Sequence, residues 1–236
     1  MSVEESGRSF LGRRGLVIGV ETDAGSAIAS ALGTAGADLA LATMRADEGV
    51  LVARRLQRQL RELGRQASTY AFDVTLGQNV KVSTRQVAKE LGGLDFVVSA
   101  PDEPLVGPFE RLTDSDLARV TTVNFYAHVY AVRAALDEFR RGGEGHALLV
   151  VRRSEDGGAA YQAAQAATLS LVTTLADELR ERAVAISALI VPANIDGARA
   201  GRAALELLQG DPARASGRVY DLAARPEGAA DHEGRP

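Results

Sequence analysis

Seven short apolar runs alternate along this chain with six longer segments of helical periodicity. Strands of a parallel sheet that is covered by helices on both faces are apolar almost throughout, as these runs are. The predicted strands are residues 15–20, 38–43, 67–73, 95–100, 147–151, 185–191 and 218–222. The predicted helices are residues 25–35, 48–63, 78–91, 114–140, 159–182 and 197–208. Because parallel strands need crossover connections, the alternation predicts a doubly wound α/β fold with a parallel sheet of about seven strands.

The length of 236 residues suits one domain with a sizeable core, which we place at residues 1–222. Residues 223–236 are rich in alanine, glycine, proline and charge, and we expect them to be disordered. The net charge of −4 does not indicate the basic surface that nucleic-acid binding favours. No apolar run is long enough to cross a membrane. Residues 1–14 lack an apolar signal core, so we expect a cytoplasmic protein.

Cysteine and histidine usage narrows the chemistry that is available to the chain. It has no cysteine, which excludes disulfides, thiolate catalysis and cysteine ligands for metals. Its three histidines, His128, His146 and His232, lie far apart and show no ligand spacing. We therefore expect no metal site.

A glycine-containing turn joins the first predicted strand to the first predicted helix, between Gly19 and Gly25. Glycines at such a turn let backbone amides approach a phosphate at a helix N-terminus. Further along the chain lie Leu94-Asp95-Phe96-Val97-Val98, Gly107-Pro108-Phe109-Glu110-Arg111-Leu112-Thr113, Val123-Asn124-Phe125, Arg133-Ala134-Ala135-Leu136 and a helix that opens at Tyr161. In the order and spacing of these motifs, residues 10–222 resemble the short-chain dehydrogenase/reductase family. The resemblance implies a Rossmann-type fold in a single domain, a nicotinamide dinucleotide cofactor and redox chemistry on carbonyls or alcohols.

The glycine turn departs from the family's Thr-Gly-x-x-x-Gly-x-Gly pattern. Gly19 and Gly25 match the first and third glycines, whereas Ile18 replaces the threonine and Asp23 replaces the middle glycine. An aspartate at this point can cap the helix, and its charge would repel a pyrophosphate at about 4 Å by ~1 to 4 kcal/mol, depending on screening. We expect Asp23 to do both, so that dinucleotide binding is weak or absent.

Three further positions would contact the cofactor by resemblance. Asp73 and Val74 follow the third strand, where the family places an Asp-Val pair beside the adenine, although an ordinary turn aspartate would look the same. The second strand leads into Arg45 without the acidic residue that holds a ribose 2′-hydroxyl. Arg45 could face a 2′-phosphate, which would favour NADP(H) over NAD(H), or it could be a solvated loop residue.

The catalytic set implied by the resemblance is incomplete. Tyr161 matches the family's proton-donating tyrosine, and Asn124 matches its asparagine, which holds a helix kink and a proton-relay water. Gln165 stands where the family has the lysine that lowers the tyrosine pKa, and the chain's lysines, Lys81 and Lys89, lie elsewhere. A tyrosine with an ordinary pKa of about 10 is poorly matched to neutral pH.

Other catalytic elements depart from the family as well. Its Asn-Asn-Ala-Gly motif after the fourth strand is replaced by Ser99-Ala100-Pro101-Asp102, and its serine position falls near Arg152. Arg152 or Arg153 could lower the pKa of Tyr161, although a solvent-facing pair at the strand end is the simpler interpretation. The family's long substrate lid is missing, because residues 194–196 lead directly into a helix.

Two functions remain open on the sequence. The first is a protein that has lost standard carbonyl/alcohol redox catalysis and acts as a binding, regulatory or assembly subunit, with at most weak NADP(H) binding. The second is an active NADP(H)-dependent oxidoreductase with an altered catalytic set around Tyr161. The departures at the glycine turn, the fourth strand, the serine, the lysine and the lid favour the first.

The long helices at residues 114–140 and 159–182 predict assembly. The second of them carries alanines and leucines over more than one narrow stripe, so an apolar face would remain exposed in a monomer. Because the family pairs its subunits through the equivalent helices, we expect a homo-oligomer, either dimer or tetramer, or a hetero-oligomer with an active paralogue. His128 lies one turn after Asn124. We expect it to be a packed or interface histidine, because that helix face usually meets a neighbouring helix, rather than a replacement for the catalytic acid–base.

Overall fold

The computed structural model describes residues 10–154 and 157–222, so the tail predicted at residues 223–236 lies outside the described residues. Strands and helices alternate through this part of the chain as predicted. They are β1 (Arg14–Ile18), α1 (Asp23–Thr34), β2 (Asp38–Thr43), α2 (Gly49–Glu62), β3 (Ala67–Ala71), α3 (Gly77–Leu91), β4 (Phe96–Ser99), a 3₁₀ turn (Phe109–Arg111), α4 (Asp114–Thr121), a π-helical turn (Thr122–Tyr126), α5 (Ala127–Gly142), β5 (Gly145–Arg153), α6 (Gly158–Glu178), β6 (Val184–Pro192), α7 (Gly197–Gln209), α8 (Pro212–Ala215) and β7 (Val219–Asp221).

The seven strands form one parallel sheet in the order β3-β2-β1-β4-β5-β6-β7, which confirms the predicted fold class. The chain builds outward from β1 to β3 on one side, then returns to place β4 on the other side of β1. The strand order therefore reverses between β1 and β4. In open α/β sheets, ligands bind at the carboxyl edge where such a reversal opens a crevice.

Helices cover both faces of the sheet, and this explains the continuous apolar runs. Val17 packs with α1, α2 and α7 on one face, whereas its neighbours Leu16 and Ile18 pack with α3, α5 and α6 on the other. Successive strand residues point to opposite faces, so a strand that is covered twice needs apolar residues at every position. Of the helices in the described ranges, none is both long and apolar enough to span a bilayer.

Two predicted helices differ from the structure in detail. The helix predicted over residues 114–140 contains the π-helical turn Thr122–Tyr126, which separates α4 from α5. The helix predicted over residues 159–182 ends earlier, at Glu178, because residues 179–183 turn back towards β6. The π turn lies where the resemblance places a kink held by Asn124.

The connection after β6 is short, as predicted. β6 ends at Pro192 and α7 begins at Gly197, where Asp196 Oδ1 accepts the backbone amides of Ala198 and Arg199. Because Asp196 caps the helix immediately after the strand, the described chain has no room for a lid at this point.

Candidate active site

A cavity of about 340 Å³ opens at the carboxyl edge of the sheet, where the strand order reverses. Its walls come from the β1–α1 turn and from the ends of β2, β4, β5 and β6. Its charged lining consists of Glu21, Asp23, Asp102 and Arg152. The topology therefore brings together charged residues as far apart in the sequence as Glu21 and Arg152.

Gly19 and Gly25 fold the β1–α1 turn tightly. Gly19 has a φ of +83°, and a Cβ atom on it would lie 2.5 Å from the carbonyl oxygen of Ala100. A Cβ atom on Gly25 would lie 2.1 Å from the carbonyl oxygen of Gly19. Both distances are shorter than any real contact, so each position requires glycine.

The residue that caps α1 is Thr22, and the prediction that Asp23 caps it was wrong. Thr22 has an extended backbone conformation, and its Oγ1 accepts the amide of Gly25 at 3.0 Å. Asp23 is instead the first helical residue, with an exposed side chain. Its carboxylate still lies at the helix N-terminus, so its repulsion of a phosphate stays a prediction.

The backbone of this turn fits the diphosphate of a dinucleotide. Within the described residues, the amides of Asp23 and Ala24 have no protein acceptor, and they belong to the N-terminal turn of α1. Free amides at a helix N-terminus are the usual donors to phosphate. The charge of Asp23 opposes an anion at the same place. The site thus fits a dinucleotide in its topology and backbone, with one unfavourable side-chain charge at the diphosphate.

Tyr161 is fully buried near the start of α6, and its hydroxyl donates a hydrogen bond of 2.5 Å to Asp102 Oδ1. The same hydroxyl lies 3.1 Å from the carbonyl oxygen of Arg152. Burial raises the pKa of Tyr161 above its ordinary value, and the negative charge of Asp102 raises it further. At neutral pH Tyr161 is therefore a protonated phenol whose proton points at a carboxylate.

Arg152 is part of this cluster, which corrects the interpretation of Arg152 and Arg153 as a solvent-facing pair. Arg152 Nε lies 2.6 Å from Asp102 Oδ2. The two groups form an ion pair, but their geometry does not meet the criteria of a hydrogen bond. Its positive charge opposes the rise in the Tyr161 pKa but does not cancel it. Arg153 points the other way, is half exposed and pairs with Asp221 at 2.8 Å. Successive residues at the end of β5 thus take different roles, because they point to opposite faces of the sheet.

Gln165, at the family's lysine position, also contacts the cluster. Its Nε2 lies 3.5 Å from Asp102 Oδ1, at the outer limit of a hydrogen bond, and its Oε1 is buried without a protein partner among the described residues. The side chain is only 6% exposed. This neutral amide adds no positive charge, and although its contact lowers the pKa of Tyr161, burial and the charge of Asp102 outweigh it.

Asn124 lies inside the π-helical turn and holds the segment that carries Asp102. Its Oδ1 accepts the amide of Glu103 at 3.0 Å, and its Nδ2 donates to the carbonyl oxygen of Glu103 at 2.9 Å. Nδ2 also donates to Val120 at 2.9 Å. These bonds fix the residue next to Asp102, so Asn124 positions the carboxylate that Tyr161 contacts.

His128 is packed inside the protein, as expected from the sequence. It is fully buried, and its Nδ1 lies 2.9 Å from Ser99 Oγ. Burial lowers the pKa of His128 to about 4. The imidazole is therefore neutral at physiological pH and serves the packing of α5 against β4.

The remaining predicted cofactor positions lie at the ends of β2 and β3. Arg45 is half exposed and forms an ion pair of 2.6 Å with Glu103, so it is not a free loop residue. Asp73 Oδ1 accepts the amide of Thr75 at 3.0 Å, as a turn aspartate would, and Val74 is buried. Arg45, Asp73 and Val74 thus lie after β2 and β3 and are not among the residues that line the cavity at the strand reversal.

Glu21 supplies a carboxylate at the end of β2 that the sequence analysis missed. Its Oε1 accepts the backbone amide of Met44 at 2.6 Å, and its Oε2 is buried without a protein partner among the described residues. Burial raises the pKa of Glu21, although the bond from Met44 works in the opposite direction. A carboxylate therefore reaches the end of β2 from the glycine turn rather than from β2 itself.

A second cavity, of about 440 Å³, lies on the other side of the cluster. Tyr161, Arg152 and Gln165 form part of its polar wall, and Val151, Leu169 and Ile190 form part of its apolar wall. Arg152 lines both cavities, whereas Asp102 lines the first and Tyr161 the second. The hydrogen bond between Tyr161 and Asp102 therefore connects the two.

Comparison with known proteins identifies the family of this chain. A family model described as "short chain dehydrogenase" matches residues 14–204. The chain belongs to the short-chain dehydrogenase family. It is 26% identical over 186 residues to a hydroxynaphthalene reductase of Aspergillus fumigatus, which covers 78% of this chain and 67% of the relative.

Solved structures of the family share the fold of this short-chain dehydrogenase. One from Burkholderia cenocepacia, in complex with NADP, matches with a TM-score of 0.79 and 24% identity over 91% of this chain and 97% of its own. An NAD⁺-bound xylitol dehydrogenase matches with a TM-score of 0.81 and 19% identity over 90% of this chain and 98% of its own. At such identities the likeness establishes the fold alone.

Within this short-chain dehydrogenase, the sequence found Tyr161, Arg152 and Gln165 but not their partner. Asp102 was seen only as a departure from a motif. One signal could have found it. Asp102 lies three residues after β4, a strand at the reversal of strand order, and a carboxylate in that position lies at the ligand-binding edge of the sheet.

Proposed function

We propose that this short-chain dehydrogenase is an active nicotinamide-dinucleotide-dependent oxidoreductase, the second function that the sequence left open. The observation that carries the proposal is the 2.5 Å hydrogen bond from Tyr161 to Asp102, which joins two adjacent cavities. In this proposal the cavity at the strand reversal holds the reactive end of the cofactor, and the cavity beside α6 holds an alcohol or carbonyl substrate. The family's hydroxynaphthalene reductases and its cofactor-bound structures support it.

The residues that would hold the cofactor lie at the carboxyl edge of the sheet, in and beside the cavity at the strand reversal. The tight turn at Gly19 and Gly25 and the amides of Asp23 and Ala24 would hold the diphosphate. Asp73 and Val74 would border the adenine. Once bound, a nicotinamide would supply or accept a hydride.

The proton is then handled by Tyr161 and Asp102. In alcohol oxidation, the substrate hydroxyl gives its proton to the Tyr161 oxygen while the Tyr161 proton passes to Asp102 Oδ1. In carbonyl reduction both transfers run in reverse. Tyr161 keeps its proton count in either direction, whereas Asp102 gains one proton in oxidation and loses one in reduction, and exchange with water restores its starting state before the next turnover. Asp102 takes over part of the work of the absent lysine, because it accepts the phenol proton instead of lowering the phenol pKa.

Arg152 and Asn124 position the carboxylate that takes part in this transfer. Arg152 pairs with Asp102 Oδ2 and so leaves Oδ1 for Tyr161. Asn124 fixes the adjacent residue through two bonds to Glu103. A carboxylate held by two elements needs little reorganisation when the proton arrives.

A second candidate is the function that the sequence favoured, a subunit without standard redox catalysis that assembles through α4–α5 and α6. The raised pKa of Tyr161 favours this candidate, since a phenol that holds its proton tightly is a poor acid. So does the neutral Gln165. In this case the chain would bind NADP(H) weakly or not at all, and would act in a homo-oligomer or beside an active paralogue.

Turnover separates the two candidates. The purified chain is assayed with NAD⁺ and NADP⁺ against a panel of secondary alcohols, and with the reduced cofactors against the matching ketones. Tyr161→Phe and Asp102→Asn should each lower kcat by about 100-fold or more if the dyad moves the proton. Ser30→Asp, on the exposed side of α1, is the matched control. Turnover that survives Tyr161→Phe, or no turnover with any pair, would contradict the active enzyme.

A further inference from the structure

The β1–α1 turn and the end of β2 are joined by one side chain, that of Glu21. Its Oε1 accepts the amide of Met44 at 2.6 Å, directly after the last residue of β2. Its methylenes pack against the start of α2, where a Cβ atom on Gly49 would lie 2.9 Å from Glu21 Cβ. The carboxylate is therefore held by contacts on two sides. Glu21 lines the cleft, and its Oε2 is buried without a protein partner among the described residues.

In dinucleotide-binding folds, the side chain at this position determines which cofactor is preferred. An acidic side chain at the end of the second strand accepts a hydrogen bond from the ribose 2′-hydroxyl of NAD(H), whereas an arginine there accommodates the 2′-phosphate of NADP(H). The 2′-phosphate carries a charge of about −1.5 to −2 near neutral pH, so a fixed carboxylate repels it. What selects the cofactor is the charge at this point, whichever segment supplies it.

The charged side chains around Glu21 offset its negative charge only in part. Asp47 adds a second carboxylate close by, since its Oδ1 accepts the amide of Gly49 at 2.9 Å. Arg45 is the nearest cation, and it is already paired with Glu103 at 2.6 Å and lies 3.7 Å from Asp47. Glu103 also forms an ion pair with Arg119. A 2′-phosphate would have to compete with two carboxylates for Arg45.

We propose that Glu21 makes this chain select NAD(H) over NADP(H), by accepting the ribose 2′-hydroxyl at Oε2 and repelling a 2′-phosphate. The inference rests on the dinucleotide binding of the proposed function. It reverses the NADP(H) preference expected from Arg45, because that expectation considered only the residues that follow β2 in the sequence. The carboxylate comes from the turn after β1 and reaches the same place through the fold.

The test is a binding titration, which does not depend on turnover. Isothermal titration of the wild-type chain compares NAD⁺ with NADP⁺, and then 5′-AMP with 2′,5′-ADP, which differ only by the 2′-phosphate. We expect NAD⁺ and 5′-AMP to bind at least about tenfold more tightly than their 2′-phosphorylated partners. This comparison needs no variant, so it stands even if a substitution prevents folding.

Three variants then assign the selectivity to one side chain. Glu21→Gln keeps an oxygen that can accept the Met44 amide but removes the charge, and the preference for NAD⁺ should shrink by about tenfold. Asp23→Asn removes a charge at the diphosphate, so both affinities should rise together and their ratio should stay constant. Arg45→Gln should leave the weak NADP⁺ affinity close to the wild-type value.

The binding and turnover results together distinguish a failure of the Glu21 proposal from a failure of the proposed function. Equal binding of the two cofactors, tighter binding of NADP⁺, or a ratio that Glu21→Gln leaves unchanged would overturn the role of Glu21 while leaving an oxidoreductase possible. Failure of every nucleotide to bind at millimolar concentration would overturn both. Selective NAD⁺ binding without turnover would support Glu21 and contradict the catalytic proposal alone.

Discussion

The Tyr161 hydroxyl donates its hydrogen bond to Asp102, a residue 59 positions earlier in the chain, rather than meeting a cation one helical turn away. In the family pattern a lysine stabilises the phenolate, whereas here a carboxylate stabilises the phenol. The two arrangements shift the pKa of the same tyrosine in opposite directions. The proton chemistry of this chain is therefore set by the contact between α6 and the segment after β4.

Asp102→Asn should lower the pKa of Tyr161 towards its ordinary value of about 10, because the neighbouring negative charge is removed while the burial remains. The measurement is an NMR titration of chain labelled at the tyrosine ring carbons, with Tyr161→Phe used to assign the signal among the five tyrosines. Glu103→Gln removes the adjacent carboxylate without touching Tyr161 and should leave the pKa where it is. An unchanged pKa in Asp102→Asn would show that the hydrogen bond does not control the phenol.

Asp23→Gly should strengthen dinucleotide binding by on the order of 1 kcal/mol at low salt, because it removes an exposed carboxylate from the N-terminal turn of α1. The gain should shrink as ionic strength rises, since exposed charges are screened over about 10 Å at 0.1 M salt. Titrations at several salt concentrations provide the measurement. An affinity that is unchanged at every salt concentration would show that charge in this turn does not limit binding.

The protein should lose stability on acidification between about pH 6.5 and pH 4, where the buried histidines titrate. Burial lowers the pKa of His128 and that of His146 to about 4, so the unfolded chain takes up these protons first as the pH falls. The loss should approach about 3 kcal/mol per histidine as an upper limit. Urea unfolding at a series of pH values measures it.

The controls for this prediction replace each histidine by an amide side chain whose polar atom lies at a similar distance from the backbone. His128 meets Ser99 through Nδ1 and His146 meets Ser187 through Nε2, so His128→Asn and His146→Gln keep a polar atom near each serine. The double variant should show a flatter dependence of the free energy of unfolding on pH over this window. An equally steep dependence would assign the acid sensitivity to other groups.

The chain should be a dimer or tetramer at micromolar concentration through the outer faces of α4–α5 and α6. Tyr126 is 45% exposed on this side of the sheet, and Ala167 and Leu171 are only partly covered by the rest of the chain. Ala167→Asp with Leu171→Asp should dissociate the assembly in light scattering, because the charges would be buried between subunits. Ser30→Asp, on α1 at the opposite face of the sheet, should not. A wild-type monomer would rule out this interface.

The sequence by itself determined the architecture. Alternating strand and helix patterns fixed a parallel sheet covered on both faces, because each segment carries its own periodicity and each crossover has a preferred hand. It also located the glycine turn and the short link from β6 to α7, since glycines, caps and link lengths are local properties. The capping of α1 was misassigned because Thr22 and Asp23 are adjacent and both suited to an N-cap, and backbone conformation decides between them.

Only the tertiary structure decided the chemistry of the cleft. Asp102 reaches Tyr161, and Glu21 reaches the end of β2, because strands that are distant in sequence end side by side at one edge of the sheet. A pattern of residues does not encode which side chains converge there, since convergence depends on strand order and on the direction in which each strand-end residue points. The charge that each group feels, and with it the proton and cofactor preferences, is a property of that convergence.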